Sequence, residues 1–166
     1  MAIIDITYFT GNRYIDLTNP DVQTNLESIF DNVEKKYLIK LLGRECYNDF
    51  DADTEPFKTL VDGGVLFNWN GYDREYYGLK NMLANFTYCE YINKNQSFNT
   101  SVGNVKFGTE KEPIGIDTIL FDANYNDAVE DYWEAYKYMV IKNIGFEKFY
   151  TSRSIDYINS SGRLVI

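Results

Sequence analysis

Histidine is absent from the 166 residues. That removes the commonest general base and the commonest metal ligand together. A Ser-His-Asp or Cys-His arrangement is impossible, and two cysteines without histidine leave no ligand set for tetrahedral zinc. No P-loop, G-x-S-x-G or G-x-G-x-x-G occurs. No stretch approaches 18 consecutive apolar residues, so no membrane span is expected. The opening MAIIDITYFTGNRY lacks a basic stretch followed by an apolar run, and so does not read as a secretion signal. A reducing cytoplasm is therefore expected, with Cys46 and Cys89 as small core residues rather than a disulfide. Basic residues are also short: 16 against 25 acidic ones, for a net charge of −9. The longest basic run is Lys35-Lys36, which offers no patch for a phosphate backbone.

Aromatic residues are abundant. Fifteen Tyr, eleven Phe and two Trp make up 17% of the chain. Tyrosine buries a ring while keeping a polar tip, which suits surfaces that are wet before assembly and dry afterwards. Tyr, Asn, Ile and Lys are also codon neighbours in an AT-rich genome, a compositional cause that stands beside assembly.

The length fits one domain, large enough to bury about 70% of its unfolded surface. A weakly alternating segment, Ile3 to about Leu17, reads as extended. Thr18-Asn19-Pro20-Asp21 starts a helix: Thr18 or Asn19 caps it, Pro20 fits its first turn and Asp21 its positive end. Val22, Leu26, Ile29, Phe30, Val33, Tyr37, Leu38 and Leu41 recur at helical spacing up to Gly43. Short helices follow over about Arg44–Phe50 and Pro56–Val61, the second ended by Gly63-Gly64. Residues 65–71 read as a strand or ordered loop turning at Asn70-Gly71. A fourth helix runs from about Tyr76 to Asn93.

Residues 97–122 read as a β-hairpin or arm with Gly108–Pro113 as its polar tip. A final helix spans about Asp127–Asn143, capped by Asn124 or Asn126. Its acids, Asp127, Glu130, Asp131 and Glu134, precede Lys137 and Lys142 in the order a helix dipole favours. The remainder, 151–166, reads as an extended tail. The expected architecture is mainly α: a bundle of four to five helices over 1–150, with an arm and a C-terminal tail.

The cluster Asp49, Asp51, Asp53 and Glu55 alternates like a calcium loop. An EF-hand starting at Asp49 needs Gly at 54 and Glu at 60, where the chain has Thr54 and Leu60. It reads as a solvated turn. No paired carboxylates are singled out for catalysis, and no cofactor, metal or enzyme activity is expected. Aromatics outside the expected helices (Phe67, Trp69, Tyr72, Phe98, Phe107 and Phe121) are candidates to meet partners. The apolar end Leu164-Val165-Ile166 must fold back or dock on a neighbour, and docking is favoured. The arm presents the same choice.

Several runs together resemble a family. They are Tyr37-Leu38-Ile39-Lys40-Leu41-Leu42-Gly43, Tyr47-Asn48-Asp49-Phe50, Leu60-Val61-Asp62-Gly63-Gly64, Tyr77-Gly78-Leu79-Lys80 and the T-x-x-G-x-V of Thr100, Gly103 and Val105. Their order over roughly 18–150 resembles the head–tail connector, or adaptor, proteins of tailed bacteriophages, most of all those of Bacteroides-type and crAss-like phages. The resemblance implies a helical bundle with a projecting hairpin, assembled as a neck ring of about twelve copies beneath the portal protein. It implies a place in the virion, further contacts with tail or neck proteins, and passage of DNA without sequence-specific binding. It places Val102, Val105, Phe107, Ile114, Ile116, Leu120, Phe121, Arg163, Leu164, Val165 and Ile166 at interfaces. An acidic lumen is expected from Glu27, Asp31, Glu34, Glu130 and Glu134, because negative charge keeps DNA from sticking. Another phage assembly or tail-completion factor, and a small protein-binding regulatory module, are the alternatives.

Overall fold

The structure is a computed structural model that describes residues 3–96, 98–100, 103–105 and 118–144. It is mainly helical, with five helices and short antiparallel strand pairs. Helix α1 spans Pro20–Leu42. The side chain of Asn19 caps it, accepting the Asp21 N–H at 2.9 Å, and Pro20 sits where a missing N–H costs nothing. The expected stripe from Leu26 to Leu41 is buried. Gly43 ends the helix at φ 80°, a conformation that favours glycine. Its N–H still donates to the Ile39 carbonyl, and the chain re-enters a helix on a new axis as α2, Arg44–Asn48. Helix α3 follows at Phe57–Asp62.

Strands β1 (Val65–Trp69) and β2 (Tyr72–Tyr76) form a hairpin in the register Val65↔Tyr76 to Trp69↔Tyr72. The turn is at Asn70 and Gly71, both at positive φ (53° and 86°), as a two-residue hairpin loop requires. Asn68 braces it, accepting from Gly71 N and donating to Asp73 Oδ1, both at 3.0 Å. The returning strand reads Tyr-Asp-Arg-Glu-Tyr and buries only Tyr76, so it carries no alternation for periodicity to detect. Tyr76 therefore belongs to β2, and α4 begins later, at Leu79, running to Gln96.

Helix α4 is the centre of the fold. Every residue from Met82 to Cys89 is buried. It packs against α1 on one side, where Phe86 stacks on Tyr37 with ring centroids 3.7 Å apart, and against α5 on another. Cys46 and Cys89 are buried free thiols, and burial pushes the Cys89 thiol up to about 12.

One expectation about residues 97–122 is corrected, the start of the last helix. Strand β3 (Phe98–Thr100) pairs with β4 (Gly103–Val105), Phe98 opposite Val105. This places an antiparallel pair inside the expected hairpin region, and the expected tip, Gly108–Pro113, lies outside the described residues. Helix α5 starts at Thr118 and runs to Lys142, well before Asp127. Leu120 and Phe121 thus belong to its first turns; Phe121 packs against the core and stacks on Tyr125. The asparagines that read as caps mislead for a physical reason. Asn124 is turned inward, donating to its own Leu120 carbonyl at 2.8 Å and to the Asn12 carbonyl at 3.2 Å. The acids from Asp127 onward consequently lie in mid-helix, where the dipole offers them little. The far end of α5 closes on Asn143 at φ 56°, with Ile144 N–H reaching the Met139 carbonyl at 3.0 Å. Val102, Phe107, Ile114, Ile116 and the segment 145–166, with Arg163 to Ile166, lie outside the described residues.

The motif runs Leu60–Gly64 and Tyr77–Lys80 form one joint. A Cβ on Gly63 would lie 2.1 Å from the Tyr77 carbonyl carbon, and one on Gly78 would lie 2.5 Å from the Val61 carbonyl oxygen. Gly64 N–H donates to the Tyr76 carbonyl at 2.8 Å, the Tyr76 hydroxyl to the Leu60 carbonyl at 2.6 Å, and Lys80 bridges Asp62 at 2.6 Å. Gly63→Ala is expected to cost about 3 kcal/mol or more in chemical denaturation, because backbone must move to admit the methyl. Gly64→Ala faces open space and should cost only about 1 kcal/mol, from its positive φ (71°). Equal losses would mean that the joint is not tight.

Candidate functional site

The N-terminal segment lines one wall of a cleft. It is not a plain extended strand: 3-10 turns at Ile6–Tyr8 and Gly11–Arg13 interrupt it. Ile4, Phe9 and Ile15 plug into the core, Phe9 stacking on Phe30 at 5.7 Å. Glu34 of α1 accepts the N–H of Ile3 at 2.6 Å and of Ile4 at 3.4 Å. Only 8% exposed, it is no surface charge, which corrects its place among the lumen acids. Burial holds its carboxyl above the usual range, against the pull of the two amides.

Further along, the segment faces β2, α4 and α5 across a cleft of about 740 Å³. Thr10, Asn12 and Arg13 line one wall. Arg74 to Gly78, Asn81 and Asn85 line the next, and Asn124, Asp127, Glu130, Asp131 and Glu134 the last. Five carboxylates and two guanidinium groups meet there. Arg13 is half-buried and donates to Asn85 Oδ1 at 3.1 Å; burial depresses its pKa, and Asp131 and Asp127 oppose that. Glu134 Oε1 accepts from Arg74 at 2.7 Å and from Lys137 at 2.5 Å, so this expected lumen acid is already neutralised. Its second oxygen is buried without a hydrogen bond. Asp131 is pushed up to about 7, first by burial and then by Asp127, Glu130 and Glu134, with Arg13 only partly offsetting them.

Of the other expected acids, Glu27, Asp31 and Glu130 are exposed, the first two on α1 and the third on α5 beside the cleft. Among the candidate partner aromatics, Phe67 is buried edge-on to Tyr138 and Trp69 is half-buried, whereas Tyr72 is 73% exposed. Leu66, Tyr14 and Tyr77 are exposed as well.

A second cleft of about 670 Å³ lies between Ile3, Glu34 and Leu38 on one side and Tyr47, Asn48, Phe50 to Asp53, Lys58 and Asp62 on the other. The acids Asp49, Asp51, Asp53 and Glu55 are all exposed, Asp51 and Asp53 along this cleft, with Asp51 capping the Asp53 N–H at 3.1 Å and Glu55 accepting from the Thr59 hydroxyl. Among the described residues no three acidic or cysteine side chains are grouped to hold a metal, and no helix is long and apolar enough to cross a membrane.

The sequence did carry a signal for Asp131. Asp127, Asp131 and Glu134 stand at i, i+4 and i+7, so they share a helix face and repel. Nothing local marked Arg13, Asn85 or Asn124, whose roles arise only when distant segments meet. No family model matches the chain, and no curated protein and no solved structure matches it.

Asp131 and Glu34 both hold protons more tightly folded than unfolded. The folded state therefore binds excess protons between the ordinary carboxylate range and about pH 7, and stability falls as pH rises through that window. The exposed carboxylates of Asp5, Asp16 and Asp62 are lowered by hydrogen bonds, so their opposite effect lies below pH 4. Urea denaturation should show the protein about 2–3 kcal/mol less stable at pH 8 than at pH 5. Asp131→Asn should remove most of that slope; an unchanged slope would exclude Asp131 as its source.

Proposed function

We propose that the chain is a structural subunit of a phage neck: a head–tail connector that assembles as a ring below the portal protein and lets DNA pass. The observation that supports this best is the joint at Gly63 and Gly78. The runs that carry the resemblance are structural rather than reactive, and two of them meet there, setting the angle between α3, the β1–β2 hairpin and α4. Rigid orientation of elements is what a repeated ring subunit needs, because each copy must present two different patches at a fixed angle for the ring to close.

The surface chemistry agrees with a DNA conduit. The net charge is −9, and Glu27, Asp31 and Glu130 remain exposed to repel phosphate. The acid set for a lumen is thus smaller than the sequence suggests, since Glu34 and Glu134 have internal partners. The exposed Leu66 and Tyr72 on the hairpin are suited to contact between copies or with portal. In this reading the protein works by adhesion and performs no catalysis.

Electron microscopy of the purified chain mixed with a portal protein from the same genome should show rings of about twelve copies stacked on portal. Leu66→Asp with Tyr72→Asp should abolish them while leaving the circular dichroism spectrum intact. A chain that stays monomeric with portal present would overturn the proposal.

A further inference from the structure

The N-terminal segment is held in an unusual way. It has no strand or long helix of its own; Ile4, Phe9 and Ile15 are buried in the core, Ile3, Ile6, Tyr8 and Leu17 pack partly against it, and polar contacts hold each end. At one end Glu34 takes the Ile3 and Ile4 amides. At the other, Arg13 enters the cleft and the Asn12 carbonyl accepts from Asn124. The 3-10 turn Gly11–Arg13 lies directly on α5, which carries Asp131. A segment held by side-chain packing and short turns, with no backbone ladder joining it to the helices, can open without the rest of the fold.

We propose that residues 3–17 are a proton-linked strap, closed over the cleft while Asp131 is neutral and released when Asp131 becomes a carboxylate. The geometry gives the direction. Closing the strap takes Asp131 out of water and seats it beside Asp127, Glu130 and Glu134 on its own helix. From β2 come Arg74, Glu75 and the Tyr76 phenol, and Arg74 is committed to Glu134. From α4 come only the neutral Asn81 and Asn85. From the strap comes Arg13, whose hydrogen bond goes to Asn85 and not to a carboxylate. One partly committed guanidinium does not balance that many acids, so the closed site favours the protonated carboxyl. Opening restores water and separates the charges, so the open site favours the carboxylate. Burial of Glu34 under the same strap acts in the same sense.

Amide exchange of the full chain, corrected for intrinsic rates, tests this between pH 6 and pH 8. Phe9, Arg13 and Tyr14 amides, all hydrogen-bonded within the strap, should lose at least tenfold in protection at pH 8. Amides of α4 should lose clearly less. In Asp131→Asn the strap should stay protected at both pH values. Arg13→Gln removes the one positive charge facing Asp131 from the strap and should move the midpoint of release to higher pH, a readout that survives if the first variant folds poorly. A strap unaffected by pH, a loss shared equally with α4, a drop that persists in Asp131→Asn, or a midpoint that does not rise in Arg13→Gln would each overturn the strap.

Discussion

Two stretches of backbone touch at Gly63 and Gly78, and the placement of everything downstream of α3 depends on that contact. Side chains normally keep backbones several ångströms further apart. Here the missing Cβ atoms let the end of α3 and the approach to α4 interlock, and the Tyr76 hydroxyl and the Lys80–Asp62 pair lock the two runs from either side. The hairpin between them is only two strands wide, a unit that is marginal by itself. It is stable because both its ends are pinned at this joint and because Phe67 and Tyr76 pack on Tyr138 of α5.

With α4 fixed in this way, the remaining elements arrange around it. Helices α1 and α5 cover it through aromatic contacts, and the N-terminal segment bridges them. The same arrangement creates the electrostatic tension of the cleft. A helix chosen for packing on its Ala128, Tyr132 and Ala135 face must put Asp127, Asp131 and Glu134 somewhere, and it puts them under the segment that carries Arg13. Packing therefore wins over charge separation, and the excess is absorbed by a raised carboxyl at Asp131 and by the Arg74 and Lys137 contacts to Glu134.

The helices α1, α2 and α3 were legible because they carry local punctuation: Asn19-Pro20 at one start, Gly43 and Gly63 at two ends. The Asn70-Gly71 turn was legible for the same reason. Strand β2 was not, since Tyr72 to Glu75 are all exposed and only pairing with β1 defines them. The start of α5 was placed too late because asparagine is a cap by propensity, whereas Asn124 is claimed by the Asn12 carbonyl, far away in sequence. One of the expected lumen acids, Glu34, failed similarly. Nothing in the composition of α1 distinguishes Glu34 from Asp31; the Ile3 and Ile4 amides do.

The two buried thiols have a practical consequence. Cys46 lies in α2 and Cys89 in the central helix, both sealed from solvent and the latter held far from its thiolate form. A thiol reagent reacts with the thiolate, so each sulfur stays silent until its own surroundings part. The chain thus contains two built-in clocks, one for the small helices and one for the interior, whose separate labelling times would tell a rearrangement at the edge from collapse of the whole.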